Sequence, residues 1–315
     1  MKPQLNPKKR QHGLGSATGH ESFLAALANE GVDLDEVLSN CIRPGASAGV
    51  LLVGSLSERL GNEASDVDLL VLLDSRDDLR LAGEGLAMQS GRAMELLLYR
   101  NHIEINIELF VREDVERLME AFISMAPALY DPAELKHLPL LQHYDLRFLH
   151  RLKCGWPLRG KRVVEQWRDE FMTDMLGTYL AVRYFSNYDE LFEDAAIMLR
   201  SNELAAFHVA RICVEQALLS ALASVGFTGP DRKWLLYWCE RAKDKPLAAF
   251  LQEGTSLLLM GSGQMPTRNY VEKVRTLGLR LLDHLRLDDD LRRATDFLRT
   301  RIGFVPLEQE IATAP

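Results

Sequence analysis

The sequence predicts an α+β protein in two parts, an N-terminal mixed β-sheet with helices and a C-terminal α-helical bundle. Three observations carry this. Short apolar runs bounded by Gly, Ser and Asp crowd the first 130 residues, as buried strands do. Residues 103–109 alternate almost strictly between apolar Ile103, Ile105, Ile107, Leu109 and polar Glu104, Asn106, Glu108, the period of a strand with one wet face. Beyond residue 160 the period becomes helical and stays so. With 315 residues the chain is long for one compact domain and comfortable for two.

Phe23–Ala28 and Leu34–Ile42 carry apolar residues at helical spacing. Ala48–Val53 reads as a buried strand ending at Gly54-Ser55, and Val67–Leu73 as a second, opened by Asp66 and closed by Asp74-Ser75. Met94–Tyr99 and His102–Val111 form two more around a polar Arg100-Asn101 turn, and a helix over Glu113–Ser124 stops before Pro127. Helical segments are expected over 166–185, 190–199, 203–225, 232–242, 247–260, 270–285 and 291–302, separated by loops such as the one around Gly226 to Pro230. The domain limits that follow are a flexible tail over 1–20, a first domain over 21–130, a connecting segment over 131–160, a helical bundle over 161–305 and a tail over 306–315.

Composition narrows the function classes. A net charge of −8 argues against a broad duplex-binding surface, although a local basic groove stays compatible with it. The basic clusters are Lys8–Arg10, Arg147–Lys161 and Arg292–Arg301. Four cysteines (Cys41, Cys154, Cys213, Cys239) lie far apart without a CxxC, so they read as reduced, mostly buried thiols. No run reaches the roughly 18 uninterrupted apolar residues of a membrane span, and the basic N-terminus has no apolar core of a secretory signal. The expectation is a soluble, cytoplasmic protein with no membrane partner.

The chemistry is concentrated in Gly54-Ser55-Leu56-Ser57-Glu58-Arg59-Leu60-Gly61-Asn62-Glu63-Ala64-Ser65-Asp66-Val67-Asp68. A strand ends in Gly-Ser, a loop follows, and Asp-Val-Asp opens the next strand. Two aspartates one residue apart on a strand project to the same side and repel each other. Mg²⁺ removes the repulsion, because it takes one or two carboxylates together with substrate phosphates. Gly54 lets the backbone approach a phosphate, and Ser55 adds a hydroxyl and an N–H.

This segment closely resembles the active-site motif of the nucleotidyltransferase superfamily that shares the polymerase-β palm, through Gly54, Ser55, Gly61, Asn62, Ser65, Asp66 and Asp68. The whole chain looks like the two-domain, aminoglycoside-type small-molecule members. The resemblance implies a palm-like N-terminal domain, metal held by Asp66 and Asp68, and a nucleotide bound by Gly54, Ser55 and Ser65. Arg59 stands where many relatives have a small residue, and either meets the triphosphate or faces solvent. A third carboxylate is implied on the 102–111 strand, as metal ligand or general base; Asn106 occupies the position that is often acidic, so Glu104 and Glu108 remain as equal alternatives. Arg147 and Arg151, four apart in a segment similar to the family's link between palm and helical domain, share a helix face that could meet a triphosphate.

The implied activity is transfer of a nucleoside monophosphate from a nucleoside triphosphate, ATP being the first expectation, to a small-molecule hydroxyl, with two Mg²⁺ ions and release of pyrophosphate. Two other readings stay open: the same chemistry on tRNA or a protein, and a catalytically inactive nucleotide-binding module, which Asn106 keeps in view. Trp234 and Trp238 read as core, Glu215 as a structural ion pair, and His150 and His208 as ordinary side chains. The apolar helical half could carry a homodimer interface.

Overall fold

The computed structural model describes residues 14, 19–62, 65–80, 86–90, 92–125, 141–229, 231–242 and 247–285. Of the expected flexible tail over 1–20, residues 1–13 and 15–18 lie outside these residues, but Leu14 is buried in the core and His20 opens the first helix. The tail over 306–315, the basic clusters Lys8–Arg10 and Arg292–Arg301, the helix over 291–302, Pro127 and Pro230 lie outside them as well.

The chain is α+β. A six-stranded mixed sheet has the order β3-β4-β5-β2-β1-β6, with β1 (Ala48–Val53), β2 (Val67–Leu73), β3 (Leu86–Ser90), β4 (Ala93–Arg100), β5 (Ile103–Val111) and β6 (Trp156–Arg159). Only β2 and β5 pair in parallel, with Asp68 opposite Asn106 and Leu70 opposite Glu108. The other pairings are antiparallel. The β4–β5 hairpin turns on Asn101 (φ 48°) and His102 (φ 72°), two left-handed residues in succession that match the twist of the strands.

Alternation along the strands gives the sheet two unlike faces. One carries Val50, Leu52, Leu69, Val71, Leu96, Leu98, Ile105 and Ile107, buried with Phe23 and Leu27 of α1 (His20–Asn29) and Val37 and Leu38 of α2 (Leu34–Ser39). The other carries Asp68, Leu70, Leu72, Glu95, Asn106, Glu108 and Phe110 and is covered by α5 (His143–Cys154) and α6 (Lys161–Glu170). There the Phe110 and Phe148 rings meet at a tilt with centroids 4.3 Å apart, and Phe148 meets Phe171 edge-on at 5.3 Å. α6 lies so close to β1 that a Cβ on Gly49 would come within 3.0 Å of the Val164 side chain. The remaining helices here are the short α3 (Gly54–Ser57) and α4 (Arg112–Ser124).

The sheet unit runs further along the chain than its sequence pattern predicts. It takes in Leu141–Asp174, so residues 141–160 of the expected connecting segment and 161–174 of the expected bundle belong to it. The reason is β6: its four residues complete the sheet beside β1, with Leu51 opposite Pro157 and Leu52 opposite Trp156. A strand this short, containing a proline, has no periodicity to read.

The second unit, from Met175 onward, is a helical bundle. It comprises α7 (Leu176–Met198), α8 (Glu203–Ser224), α9 (Leu235–Arg241), α10 (Ala248–Leu258) and α11 (Thr267–Leu285). The expected 166–185 helix is broken at Phe171–Met175, where Met172 takes φ 46°, and the expected break near 186–189 is absent from the continuous α7. α8 packs against α7, α9, α10 and α11. Buried hydroxyls pin the bundle: Tyr188 donates to the Val274 carbonyl at 2.8 Å, and Ser220 to the Ala181 carbonyl at 2.7 Å. By length and composition α8 could cross a membrane, but most of it is buried inside this bundle.

Candidate active site

The site is built where β1 ends and β2 begins. Gly54 takes φ +70°, a conformation that favours glycine, and turns the chain into α3. A Cβ at Gly54 would clash with the Asp68 carboxylate, so this position lacks a side chain where the aspartate packs. The loop then closes on itself. Ser57 Oγ and the Glu58 N–H donate to the Gly54 carbonyl at 3.0 and 3.1 Å, and the Leu60 and Gly61 N–H groups both donate to the Ser55 carbonyl at 2.8 Å. Asn62 and Ser65 brace each other through the Asn62 N–H to Ser65 Oγ (2.9 Å) and the Ser65 N–H to the Asn62 carbonyl (3.0 Å).

Asp68 is the one residue of β2 that is not fully buried, in a strand otherwise sealed on both faces. Its carboxyl is held above the usual carboxylate range, first by burial and then by the Glu108 and Asp66 charges; the Arg151 charge and a hydrogen bond from Asn106 oppose the shift. Desolvated carboxylates that repel one another are what a divalent cation relieves.

Glu108, only 7% exposed, faces two cations of α5. Arg147 Nη2 donates to Glu108 Oε1 at 2.7 Å, and Arg151 Nη1 lies 2.7 Å from Oε2. The Arg147 guanidinium also sits over the Tyr144 ring at 5.2 Å and 3.8 Å from Glu95. Burial and the nearby Glu108 charge push the Tyr144 phenol up to about 12, so the ring stays neutral. Asp145 of the same helix pairs with Arg92 at 3.1 Å and so does not compete for Arg147 or Arg151. A cavity of about 290 Å³ opens among Asp68, Glu95, Asn106, Glu108, Arg147 and Arg151, with Met88 and Leu97 on its apolar side.

The sequence-predicted residues therefore divide. Asp68, Glu108, Arg147 and Arg151 share one cavity, with Gly54 against Asp68 from the β1 side. Glu104 lies near the hairpin end of β5, where it accepts a hydrogen bond from the Tyr99 hydroxyl at 3.1 Å. Arg59 is exposed, at φ 59°. Ser65 braces the loop, and Ser55 is half-buried beside Gly54. In the helical unit, Trp238 is buried, Glu215 lies 3.1 Å from Arg232, and His208 is exposed.

His150 is not an ordinary side chain. It is 4% exposed, with Nε2 placed 3.2 Å from Glu58 Oε1 in the turn that follows Gly54. Burial alone would lower its pKa, but hydrogen bonds with the Cys154 and Glu58 side chains outweigh burial and raise it to about 9. The sequence signal was thin: His150 lies one turn before Cys154, and nothing in the spacing pointed to Glu58.

The donor set decides what metal the site fits. Among the described residues no group of three His, Cys, Asp or Glu side chains could hold a metal ion. Asp68 supplies a carboxylate in the cavity, Asn106, across from it, supplies an amide, and the Asp66 charge acts on Asp68 from just before the strand. Such a set suits Mg²⁺ shared with phosphate oxygens rather than an all-protein cage.

No family model matches the chain, and no curated protein matches it. Among solved structures, the chain is similar to a nucleotidyltransferase-like protein from Exiguobacterium sibiricum. The match covers 93% of this chain and 89% of that one, at 13% identity and a TM-score of 0.35.

Proposed function

We propose that the chain is a Mg²⁺-dependent nucleotidyltransferase that moves a nucleoside monophosphate from a nucleoside triphosphate, ATP first among the donors, to a hydroxyl of a small molecule. The observation that carries this is the bare Gly54 held against Asp68. A left-handed glycine without a side chain ends β1, the Asp68 carboxylate of the neighbouring strand stands against it, and the Asp66 charge acts on that carboxylate. A phosphate needs such a bare backbone and such cation-holding carboxylates at once.

In this reading Asp66 and Asp68 hold the cation, which when bound neutralises phosphate charge and makes the acceptor hydroxyl easier to deprotonate. Gly54 and Ser55 offer backbone and hydroxyl donors to the phosphates. The acceptor oxygen attacks the α-phosphorus in line as the bond to the β-phosphate oxygen breaks, and pyrophosphate leaves. Glu108 is the carboxylate placed in the cavity to receive the acceptor proton. Two guanidinium groups at 2.7 Å make it a counter-ion in the structure as it stands. Phosphates that draw Arg147 and Arg151 toward themselves free it to act as a base.

A small acceptor is favoured over a polynucleotide because the basic run Arg147–Lys161 does not form one stripe. Arg147 and Arg151 turn to Glu108, Lys153 donates to the Thr173 carbonyl at 2.9 Å, and Arg159 pairs with Asp35 at 2.6 Å. One observation favours a second reading, a nucleotide-binding module without turnover: Asn106, an amide, stands across from Asp68 where a carboxylate would complete the acidic cluster.

The test is thermal stabilisation by each Mg²⁺–nucleoside triphosphate, on the wild type and on Asp66→Asn/Asp68→Asn, followed by pyrophosphate release with an acceptor library. A ligand at 100 times its Kd adds about 2.7 kcal/mol. One nucleotide should stabilise the wild type only with Mg²⁺ and leave the double variant unmoved. Stabilisation without pyrophosphate release against any acceptor supports the binding module, and no stabilisation by any nucleotide overturns both readings.

A further inference from the structure

The four cysteines are not alike. Cys41, Cys213 and Cys239 are buried, and burial pushes the Cys41 thiol up to about 12, the Cys239 thiol up to about 11, and the Cys213 thiol higher still. Such thiols are inert. Cys154 is half-exposed, at the last turn of α5. Side chains on a helix lean toward its N-terminus, so residue 154 reaches back over residue 150 one turn earlier. There its side chain hydrogen-bonds with His150, whose Nε2 is 3.2 Å from Glu58. A Cys–His–carboxylate chain results, with the imidazole oriented by the half-buried Glu58, an arrangement that activates a sulfur nucleophile.

The other charged groups around it support this. The C-terminal carbonyls of α5 would disfavour a thiolate, but Arg168 of α6 donates to the Leu152 carbonyl at 2.9 Å and to the Gly155 carbonyl at 2.7 Å, placing a cation over that helix end. On α5 itself Arg151 and Lys153 flank the position, Arg151 turned to Glu108 and Lys153 to the Thr173 carbonyl. Leu51 and Val53 of β1 lie against Gly155, the residue that follows Cys154. Glu58 is the acid facing His150, and an imidazolium between it and the sulfur balances both.

We propose that Cys154 is a reactive thiolate, stabilised by His150 and Glu58, and that it is the site at which the chain forms mixed disulfides with low-molecular-weight disulfides. The thiolate attacks one sulfur of the small disulfide. A new S–S bond forms at Cys154 as the old one breaks, and the second sulfur leaves as a thiolate that takes a proton from water. No other oxidant is required.

The experiment uses the native full-length chain and follows thiol release from dithiodipyridine against pH, with mass spectrometry after oxidised glutathione. One thiol should react in a fast phase at neutral pH, gain one glutathione, and disappear in Cys154→Ser. The rate should follow a pKa below the roughly 8.5 of a free cysteine. His150→Gln should slow the fast phase at pH 7 about tenfold and return its pH profile toward that ordinary value, and Glu58→Gln should move it the same way by less. If His150→Gln unfolds, all four thiols become reactive, and Glu58→Gln together with the wild-type profile decides. A fast phase that survives Cys154→Ser, its absence, or a wild-type profile at or above the free-cysteine value overturns the proposal. So does a profile that neither variant moves.

Discussion

The two faces of the sheet use the same strands for opposite ends. On one face β2 and β5 present Leu69, Val71, Ile105 and Ile107 to α1 and α2, and the contact is apolar throughout. On the other, one residue along each strand, Asp68, Asn106 and Glu108 lie under α5 together with two arginines. Farther along the same face Leu70, Leu72 and Phe110 return to apolar packing. A strand's side-chain period of two lets a fold seal one surface with hydrophobic burial while it keeps charged groups next door, in one register. The sealed face fixes where the carboxylates stand; the charged face stores electrostatic repulsion that a ligand can relieve.

The comparison can be broken first from the sealed side. Ile107→Ala, 1% exposed, should cost about 2–5 kcal/mol in urea unfolding while leaving the nucleotide-dependent gain in Tm intact on the remaining folded protein. Loss of that gain in proportion to stability would mean that the two faces are not separable.

A smaller effect is expected from pH. His150 is held protonated up to about 9, against 6.5 for a free histidine. The stability it contributes is fully present below about pH 6.5 and is lost as pH rises through 9. Melting in buffers across that window should show a decline worth about 1–3 kcal/mol, and Glu58→Gln should flatten it. A flat wild-type profile would show that the pair is not an ion pair.

The smallest effect sharpens the charged side. Asn106→Asp removes the hydrogen bond to Asp68 and adds a third carboxylate across from it. Without divalent cation this should lower stability by about 1 kcal/mol, and Mg²⁺ should restore it, giving a larger Mg²⁺-dependent Tm shift than in the wild type. Equal shifts in the two proteins would place the cation away from Asn106.

Much of this is legible in the sequence alone. The strand alternation over 103–109 placed Glu104, Asn106 and Glu108 on one face, and Gly-Ser followed by Asp-x-Asp marked the join of β1 and β2, because strand period and turn chemistry are local properties. The residues that finish the site were not all legible. Arg147 and Arg151 could be seen to share a helix face, but that they close on Glu108 depends on how α5 crosses the sheet. The His150–Glu58 pair spans 92 residues of sequence and leaves no local trace. β3 is short and β6 contains a proline, so neither announces itself by pattern.

β6 also bears on the order in which the sheet unit can be made. β1 lies between β2 and β6, and β6 begins at Trp156, more than a hundred residues after β1 starts. Until that point leaves the ribosome, the outer edge of β1 has unpaired N–H and C=O groups, and the face that α5 covers is bare. A nascent chain in that state is a strand waiting for a partner, and another copy's strand can take the place. Slow, long-range closure of this kind is what chaperones shield. A fragment cut near residue 130 would arrest the protein there, with the Asp-x-Asp strand formed and its neighbour left sticky.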